Sequence, residues 1–383
     1  MNSEVANVLP FANISTPAAV IDLSQMDRNI DRMQARMNAL GVRFRPHVKT
    51  SKCVEVVRRQ MRAGASAITV STLKEAEQFF AAGISDIFYA VGMAPHKLPQ
   101  AAALIRAGCK LRILVDNLAA AQAVSAYSQT HGVTFSVLIE IDTDGHRSGV
   151  KPEAPELIDI ARALTNATLV GVMTHAGASY ELHDTGSLQQ MAEQERSRCV
   201  RAATRLREAG FACPDVSVGS TPTALSATTL DGVTEVRAGV YVFFDLVMVN
   251  VGVCELSDIA MSVLTTVIGH QRDKGWVIVD AGWMAMSRDR GTQKQQTDFG
   301  YGQVCDAAGL PVAGCIVASA NQEHGIVEVT DQTSAQSIET RFPVGMQLRI
   351  LPNHACATAA QFPAYEALAS DGSVATWPRF YGW

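Results

Sequence analysis

Lys49 stands in the segment Arg45-Pro46-His47-Val48-Lys49-Thr50, at the end of the β-rich run 42–47. Most lysines stay in water on a surface. One that ends a strand among apolar neighbours is a candidate for Schiff-base chemistry with an aldehyde; a surface or ion-paired lysine is the plain alternative. A second cluster, Ser217-Val218-Gly219-Ser220-Thr221-Pro222-Thr223, offers small residues whose N–H groups and hydroxyls suit an anion. The N-terminus of a following helix would add its free N–H groups, and an ordinary loop with an N-cap is the alternative. Gly219, Ser220 and Thr221 are the candidates there. After the next run comes Arg237-Ala238-Gly239-Val240-Tyr241, where Gly239 and the Tyr241 hydroxyl complete the cradle. An anion site opposite a lysine points to a phosphorylated cofactor that carries an aldehyde.

Other groups stand at equivalent places. Arg147 lies in the glycine-rich polar cluster 140–149 and is suited to an anionic oxygen. His175, in Thr174-His175-Ala176-Gly177, can stack on a flat ring or relay a proton, or be a satisfied structural histidine. Tyr180 follows closely enough to reach the same pocket. His354 and Cys356, in Pro352-Asn353-His354-Ala355-Cys356, are two apart after an apolar run. Extended residues at that spacing point the same way. Imidazole and thiolate are zinc ligands, and two protein ligands leave positions open for water or substrate. The polar cluster 321–325 (NQEHG) is a candidate to orient a ligand. Arg288 and Arg290 lie in the polar stretch 287–298, for which a solvated loop is the plain reading.

These groups need a frame. Eight β-rich runs (42–47, 67–70, 86–90, 111–115, 135–141, 169–174, 214–218 and 233–237) alternate with stretches of helical periodicity. Gly64, Gly83, Gly108, Gly132 and Gly210 each follow a helical stretch, as helix-ending glycines do. The pattern predicts an α/β fold, a (β/α)8 TIM barrel over 24–250. An open doubly wound sheet more often carries GxGxxG after its first strand, and none occurs here. A helix over 25–40 precedes the barrel, with Met26, Ile30, Met33, Met37 and Leu40 on one face. From 256 to 383 period two replaces period 3.6, which predicts a mainly β domain ending in a helical region near 357–369. The β-like segment 18–23 suggests that residues 1–23 join this second domain.

Composition excludes several classes. The 383 residues are 48% hydrophobic and 18% charged, which excludes a disordered polyelectrolyte. The net charge is −5 and no basic block occurs, so nucleic acid is not an expected partner. Eight cysteines without a CxxC pair suggest free thiols in a reducing compartment. The N-terminus lacks a signal-peptide pattern, and no apolar stretch reaches the roughly 20 residues of a membrane span. A cytoplasmic protein without a membrane partner is expected.

The motifs RPHVKT (45–50), STLKEAE (71–77), THAG (174–177), VSVGSTPT (216–223), EVRAGVYVFFD (235–245) and PNHAC (352–356) resemble the fold-type III pyridoxal-phosphate enzymes that share the alanine racemase barrel. Within that group the chain is similar to the D-threonine aldolase and D-serine dehydratase branch, from about Thr16 to the C-terminus. IDTDGHRSGV (141–150), FGYGQVCD (299–306) and NQEHG (321–325) resemble the hydroxyaspartate dehydratases of that branch. The resemblance implies pyridoxal 5'-phosphate carried covalently by Lys49. It places the phosphate at Gly219, Ser220, Thr221 and Tyr241, His175 against the ring, Arg147 near the phenolic oxygen and Arg237 near the ring nitrogen. It also implies one divalent metal ion on His354 and Cys356, zinc first, with manganese, magnesium or cobalt as alternatives. The implied substrate is a D-3-hydroxy amino acid, dehydrated to a 2-oxo acid and ammonia, with Arg288 or Arg290 as candidates to read a second carboxylate, and the implied assembly is a homodimer. Aldol cleavage with the same parts, D-serine as substrate, a non-catalytic cofactor-binding protein and a zinc-only hydrolase are the rival expectations.

Overall fold

The computed structural model describes residues 11–330 and 337–383. It falls into two compact units: one holds Ile30–Tyr241, Val251–Val253 and Phe380–Trp383, and the other holds the described residues up to Asn29 with Val242–Asn250 and Cys254–Arg379. β1 (Ala18–Asp22) and α1 (Leu23–Ala39) lead the chain. Residues 1–10 of the leading segment lie outside the described residues.

The first unit is a parallel barrel. Its strands are β2 (Arg43–Phe44), β3 (Ile68–Val70), β4 (Asp86–Gly92), β5 (Lys110–Val115), β6 (Ser136–Glu140), β7 (Thr168–Met173), β8 (Asp215–Val218) and β9 (Glu235–Val236). Between them run α2 (Val54–Ala63), α3 (Leu73–Ala81), α4 (Leu98–Arg106), α5 (Leu118–His131), α6 (Glu156–Ala163), α7 (Thr185–Glu208) and α8 (Thr221–Ser226). The sheet order is β2-β9-β8-β7-β6-β5-β4-β3. It closes just beyond β2, where Val48 N–H donates to Thr69 O (2.9 Å) and Thr69 N–H to Pro46 O (2.8 Å). All eight strands fall on the β-rich runs of the sequence. The five helix-ending glycines take positive φ, a region closed to most side chains. Phe88, Leu114, Leu138 and Met173, one from each of β4 to β7, pack together in the core.

Ion pairs are buried among these strands. Arg45 Nε meets Glu235 Oε2 at 2.8 Å and its Nη1 meets Asp86 Oδ1 at 2.7 Å. Burial pushes the Glu235 carboxyl up, but the Arg45 guanidinium outweighs it and holds the group below the usual carboxylate range.

The second unit is built from β1, α9 (Leu246–Val251, through Asn250), β10 (Met261–Gln271), β11 (Trp276–Val279), α10 (Trp283–Met286), β12 (Gly302–Cys305), β13 (Pro311–Ala320), β14 (Gly325–Val329), α11 (Ile338–Arg341), β15 (Gln347–Pro352), α12 (Ala355–Ala359), β16 (Ala364–Leu368) and β17 (Val374–Pro378). The long β10 pairs with β15 through its first half and with β11 through its second. Pairings β11–β14–β13–β12–β15 complete a closed antiparallel ring of six strands. On the other flank β10 pairs with β1, which continues to β16 and β17.

The helical expectation over 357–369 holds only as far as Ala359. Residues 364–368 form β16 instead, because Tyr365 and Ala367 alternate inward while paired between β1 and β17. No helix among the described residues is long and apolar enough to cross a membrane.

Candidate active site

The residues singled out in the barrel stand in the loops after its strands, at the C-terminal mouth where such barrels place chemistry. Lys49 lies in the turn that follows the barrel's closing seam and is exposed. His47, two residues earlier, keeps Nδ1 buried without a hydrogen-bond partner. Burial first, then the charges of Lys49 and Arg237, hold its imidazole well below the usual pKa. His175, after β7, bonds through Nδ1 to Gly219 O at 3.0 Å. A carbonyl only accepts, so Nδ1 carries the proton and Nε2 is left as an acceptor. Burial, reinforced by Lys49, lowers the His175 pKa to about 3. Tyr180 stands beside it, ring centroids 6.1 Å apart.

Arg237 is buried and donates through Nη2 to Thr174 O and through Nε to Ser217 Oγ (3.2 Å). Arg147 is exposed, with Nη2 3.3 Å from Glu140 Oε1. Lys49, Arg147 and Arg237 all act on both histidines, so the mouth is positive and suits an anion.

The cradle is more specific than its composition suggested. Gly219 has φ +130°, and a Cβ there would fall 2.1 Å from Arg237 O. Its N–H donates to Glu195 Oε1 (3.1 Å). Ser220 N–H donates to Thr223 Oγ1 (3.0 Å), and Tyr241 N–H to Thr221 Oγ1 (3.2 Å). The Gly219 and Ser220 N–H groups and the Thr221 hydroxyl, all expected at the anion, therefore shape the loop. The N–H groups of Thr221, Gly239 and Val240 have no acceptor among the described residues. A Cβ on Gly239 would meet His47 O at 2.9 Å, so only glycine leaves that N–H approachable. The Tyr241 hydroxyl, fully buried, accepts from Gln60 Nε2 at 2.8 Å and keeps its own proton to donate. Free N–H groups, a phenol with a proton to give and three cations fit a phosphorylated cofactor, and Lys49 fits its aldehyde.

Two contributors at the barrel mouth escaped the sequence reading. Glu195, buried on α7, accepts from Ala176 N–H (2.9 Å) and Gly219 N–H with one oxygen. It thereby ties the His175 loop to the cradle. Its signal was available: Leu188, Ala192, Glu195, Cys199, Ala202 and Leu206 form one buried helical stripe with a single acid in it. Gln60 had no comparable signal.

The second unit holds the other cluster. His354 Nδ1 lies 2.6 Å from Asp289 Oδ2. Burial lowers the imidazole pKa, but Cys356, Asp289 and Asp245 outweigh it and raise it to about 11. The hydrogen bond holds Asp289 below the usual carboxylate range. Cys356 is the one cysteine of eight that is not buried. Asp245, fully buried, accepts from Ala355 N–H (2.9 Å) and Met248 N–H (3.0 Å), fixing the start of α12. Thr292 Oγ1 donates to Asn353 Oδ1 (2.8 Å) and Thr358 Oγ1 to Met286 O (2.9 Å). The polar stretch 287–298 is thus stitched to the His354–Cys356 segment and is no free loop. The 321–325 cluster supplies backbone carbonyls of Asn321 and Gln322 to the first turn of α10, while its polar side chains are exposed. No group of three or more His, Cys, Asp or Glu among the described residues forms a metal cage. An imidazole oriented by a carboxylate beside an accessible thiol still suits an ion that takes its remaining ligands from solvent or substrate.

A lysine and an anion cradle at the mouth of one parallel barrel, with a β domain appended, is the plan of the fold-type III pyridoxal-phosphate enzymes. Residues 21–247 match the family model of the alanine racemase N-terminal domain, and residues 260–368 that of the putative serine dehydratase domain. The chain belongs to this alanine racemase-like family, in its D-threo-3-hydroxyaspartate dehydratase branch. It is 65% identical to the D-threo-3-hydroxyaspartate dehydratase of Delftia sp. (strain HT23), over 97% of this chain and 98% of that one. It is 29% identical to the D-serine dehydratase of Dictyostelium discoideum, over 94% and 95%. The solved structure of the Delftia enzyme superposes with a TM-score of 0.96, covering 98% of this chain and 99% of that one. A variant of a D-threo-3-hydroxyaspartate dehydratase with a cysteine replaced by alanine has been solved in a metal-free form, with TM-score 0.96, 64% identity and coverage of 98% and 99%.

Proposed function

We propose that the chain is a pyridoxal-phosphate- and divalent-metal-dependent dehydratase of D-3-hydroxy amino acids, with D-threo-3-hydroxyaspartate as its substrate and oxaloacetate and ammonia as products. The observation that carries the reading is the presentation of His354 and Cys356. Asp289 holds the imidazole through Nδ1, and the half-buried Cys356 thiol lies within hydrogen-bonding reach of the same ring. Two borderline-soft donors suit zinc. The metal-free state of the Delftia-type cysteine variant agrees with a cysteine ligand.

Pyridoxal phosphate, when bound, supplies an electron sink that makes the substrate Cα–H acidic. A divalent ion on His354 and Cys356 supplies a Lewis acid for the β-hydroxyl, otherwise a poor leaving group. The remaining work is done by the chain. The Thr221, Gly239 and Val240 N–H groups and the Tyr241 hydroxyl would hold the phosphate. His175, kept neutral, would support the ring, and buried Arg237 would serve its nitrogen. Arg147 would neutralise the phenolic oxygen. Lys49 would hold the aldehyde through its amine, and that amine is the group that would take the proton from the substrate Cα. Loss of that proton and of the β-hydroxyl yields an enamine, which water converts to the 2-oxo acid and ammonia. We also take the working form to be a cytoplasmic homodimer, and light scattering near twice 41.0 kDa checks its size.

Borohydride reduction followed by peptide mass mapping tests the cofactor site: a pyridoxyl-phosphate adduct is expected on Lys49, and an adduct elsewhere overturns the assignment. Product analysis tests the bond broken. Oxaloacetate and ammonia support dehydration, whereas glycine and glyoxylate from the same substrate mean aldol cleavage. Cys356→Ala should lose bound metal and elimination together while retaining the adduct.

A further inference from the structure

Three charged side chains follow one another in the segment after α10, and the structure gives each a different task. Asp289 is bonded to His354. Arg290 is occupied: Nη2 meets Asp298 Oδ2 at 2.9 Å and Nε donates to Gly300 O at 3.3 Å. Arg288 has no acidic partner among the described residues. Its guanidinium lies over the Trp283 ring, 4.3 Å from the centroid, and the residue is exposed.

The place of this arginine is fixed at both ends. Trp283 N–H donates to Asn321 O (2.9 Å), anchoring the ring's backbone. Met286 O accepts from Thr358 Oγ1, and Thr292 Oγ1 bonds Asn353, on either side of the candidate metal ligands. Arg288 is therefore an unpaired cation on an indole platform, one residue from the carboxylate that orients His354. Stacking restrains a guanidinium while leaving its donors in plane, the geometry that accepts a carboxylate in bidentate fashion. A lysine or a mobile arginine would lack that preorganisation.

We propose that Arg288 is the specificity residue that reads the second carboxylate of the substrate, the one next to the hydroxyl held at His354 and Cys356. The inference rests on the dehydratase reading and extends it. It makes 3-hydroxy amino diacids the preferred class, and it separates them from D-serine, which has a hydroxyl but no carboxylate there. Of the two arginines the sequence offered for this task, Arg290 is excluded by its ion pair.

The test uses the protein loaded with pyridoxal phosphate and zinc. Two unreactive ligands without an amine are compared by calorimetry: malate, and 3-hydroxypropionate, which is malate without the carboxylate next to the hydroxyl. The unaltered protein should bind malate roughly 10–100-fold more tightly, the range of one charge-assisted pair. Arg288→Met should abolish that difference by weakening malate alone, and Arg288→Lys should fall between. In turnover, Arg288→Met should raise KM for 3-hydroxyaspartate with kcat largely kept. Arg290→Met is the control, and should not change the ratio of the two ligands. Equal binding of both ligands to the unaltered protein, or an Arg288→Met variant that still prefers malate, overturns the proposal. Failure of the unaltered protein to release ammonia from any hydroxy amino acid would instead sink the dehydratase reading, and the malate comparison would still judge Arg288.

Discussion

Replacing Glu195 by alanine removes the one carboxylate that accepts from both Ala176 N–H and Gly219 N–H. Both amides are buried. A buried donor left without an acceptor costs about 1–3 kcal/mol. Two such donors give about 2–6 kcal/mol, before any loss of packing on α7. For a unit of 150–250 residues each kcal/mol moves Tm by about 2–4 °C, so a drop of roughly 5–20 °C is expected by differential scanning fluorimetry. Glu195→Gln keeps an acceptor oxygen in place and loses only the charge assistance, so it should fall by less than half as much. The same two loops carry His175 and the cradle, so cofactor affinity should follow the same order, measured by spectral titration with pyridoxal phosphate. An alanine variant within about 2 °C of the parent would refute the two-donor argument. A glutamine variant as damaged as the alanine one would show that charge, rather than the accepting oxygen, matters.

Three further outcomes follow from the geometry. Gly219→Ala puts a Cβ 2.1 Å from Arg237 O at φ +130°; cofactor affinity should fall at least tenfold, on the order expected for more than 1.4 kcal/mol of strain, while an unchanged titration would mean that the cradle yields. Glu235 has a folded pKa below its unfolded one, so its pairing with Arg45 stabilises the protein above the unfolded value and is lost as pH falls through the folded value; Glu235→Ala should destabilise by about 3–5 kcal/mol at neutral pH in urea unfolding and flatten the acid limb of the stability profile. His175, with its pKa near 3, should show no imidazole titration by NMR between pH 5 and pH 8 in the protein without cofactor. Because the unfolded chain binds that proton first, this group lowers stability as pH falls below the ordinary histidine value; a midpoint near 6.5 would remove the argument for a neutral ring.

The barrel was legible because each strand falls in a short β-rich run and five of its helices stop at glycine. The β domain was less so. β12 opens with glycine and spans four residues, and β17 ends at Pro378, so neither gives a clear period-two run. β16 (AYEAL) has a helix-like composition, and only its place between β1 and β17 makes it a strand. The candidate site divides in the same way. Lys49, His175, Gly219 and Arg237 follow strands, so position alone marked them. Glu195, Gln60 and Asp289 act on partners far off in sequence, and spacing cannot encode such meetings. The cradle's composition was visible, but the split between N–H groups that shape the loop and those left free required the folded backbone.

The barrel's closure also orders its assembly. β2 is two residues long and lies against β9, the last strand of the barrel, in the register Arg43↔Glu235. On its other side the ring is sealed by the short seam at Thr69. Lys49 follows the end of this strand, so the earliest strand of the barrel to leave the ribosome is among the last to gain both neighbours. Contacts of such long sequence separation form late. Nascent or truncated chains ending before β9 would carry the lysine on an open edge, without the Arg237 and Gly239 loop. The capacity to capture an aldehyde in the right place is therefore a property of the completed ring, and binding of the cofactor would report that synthesis of the barrel has finished.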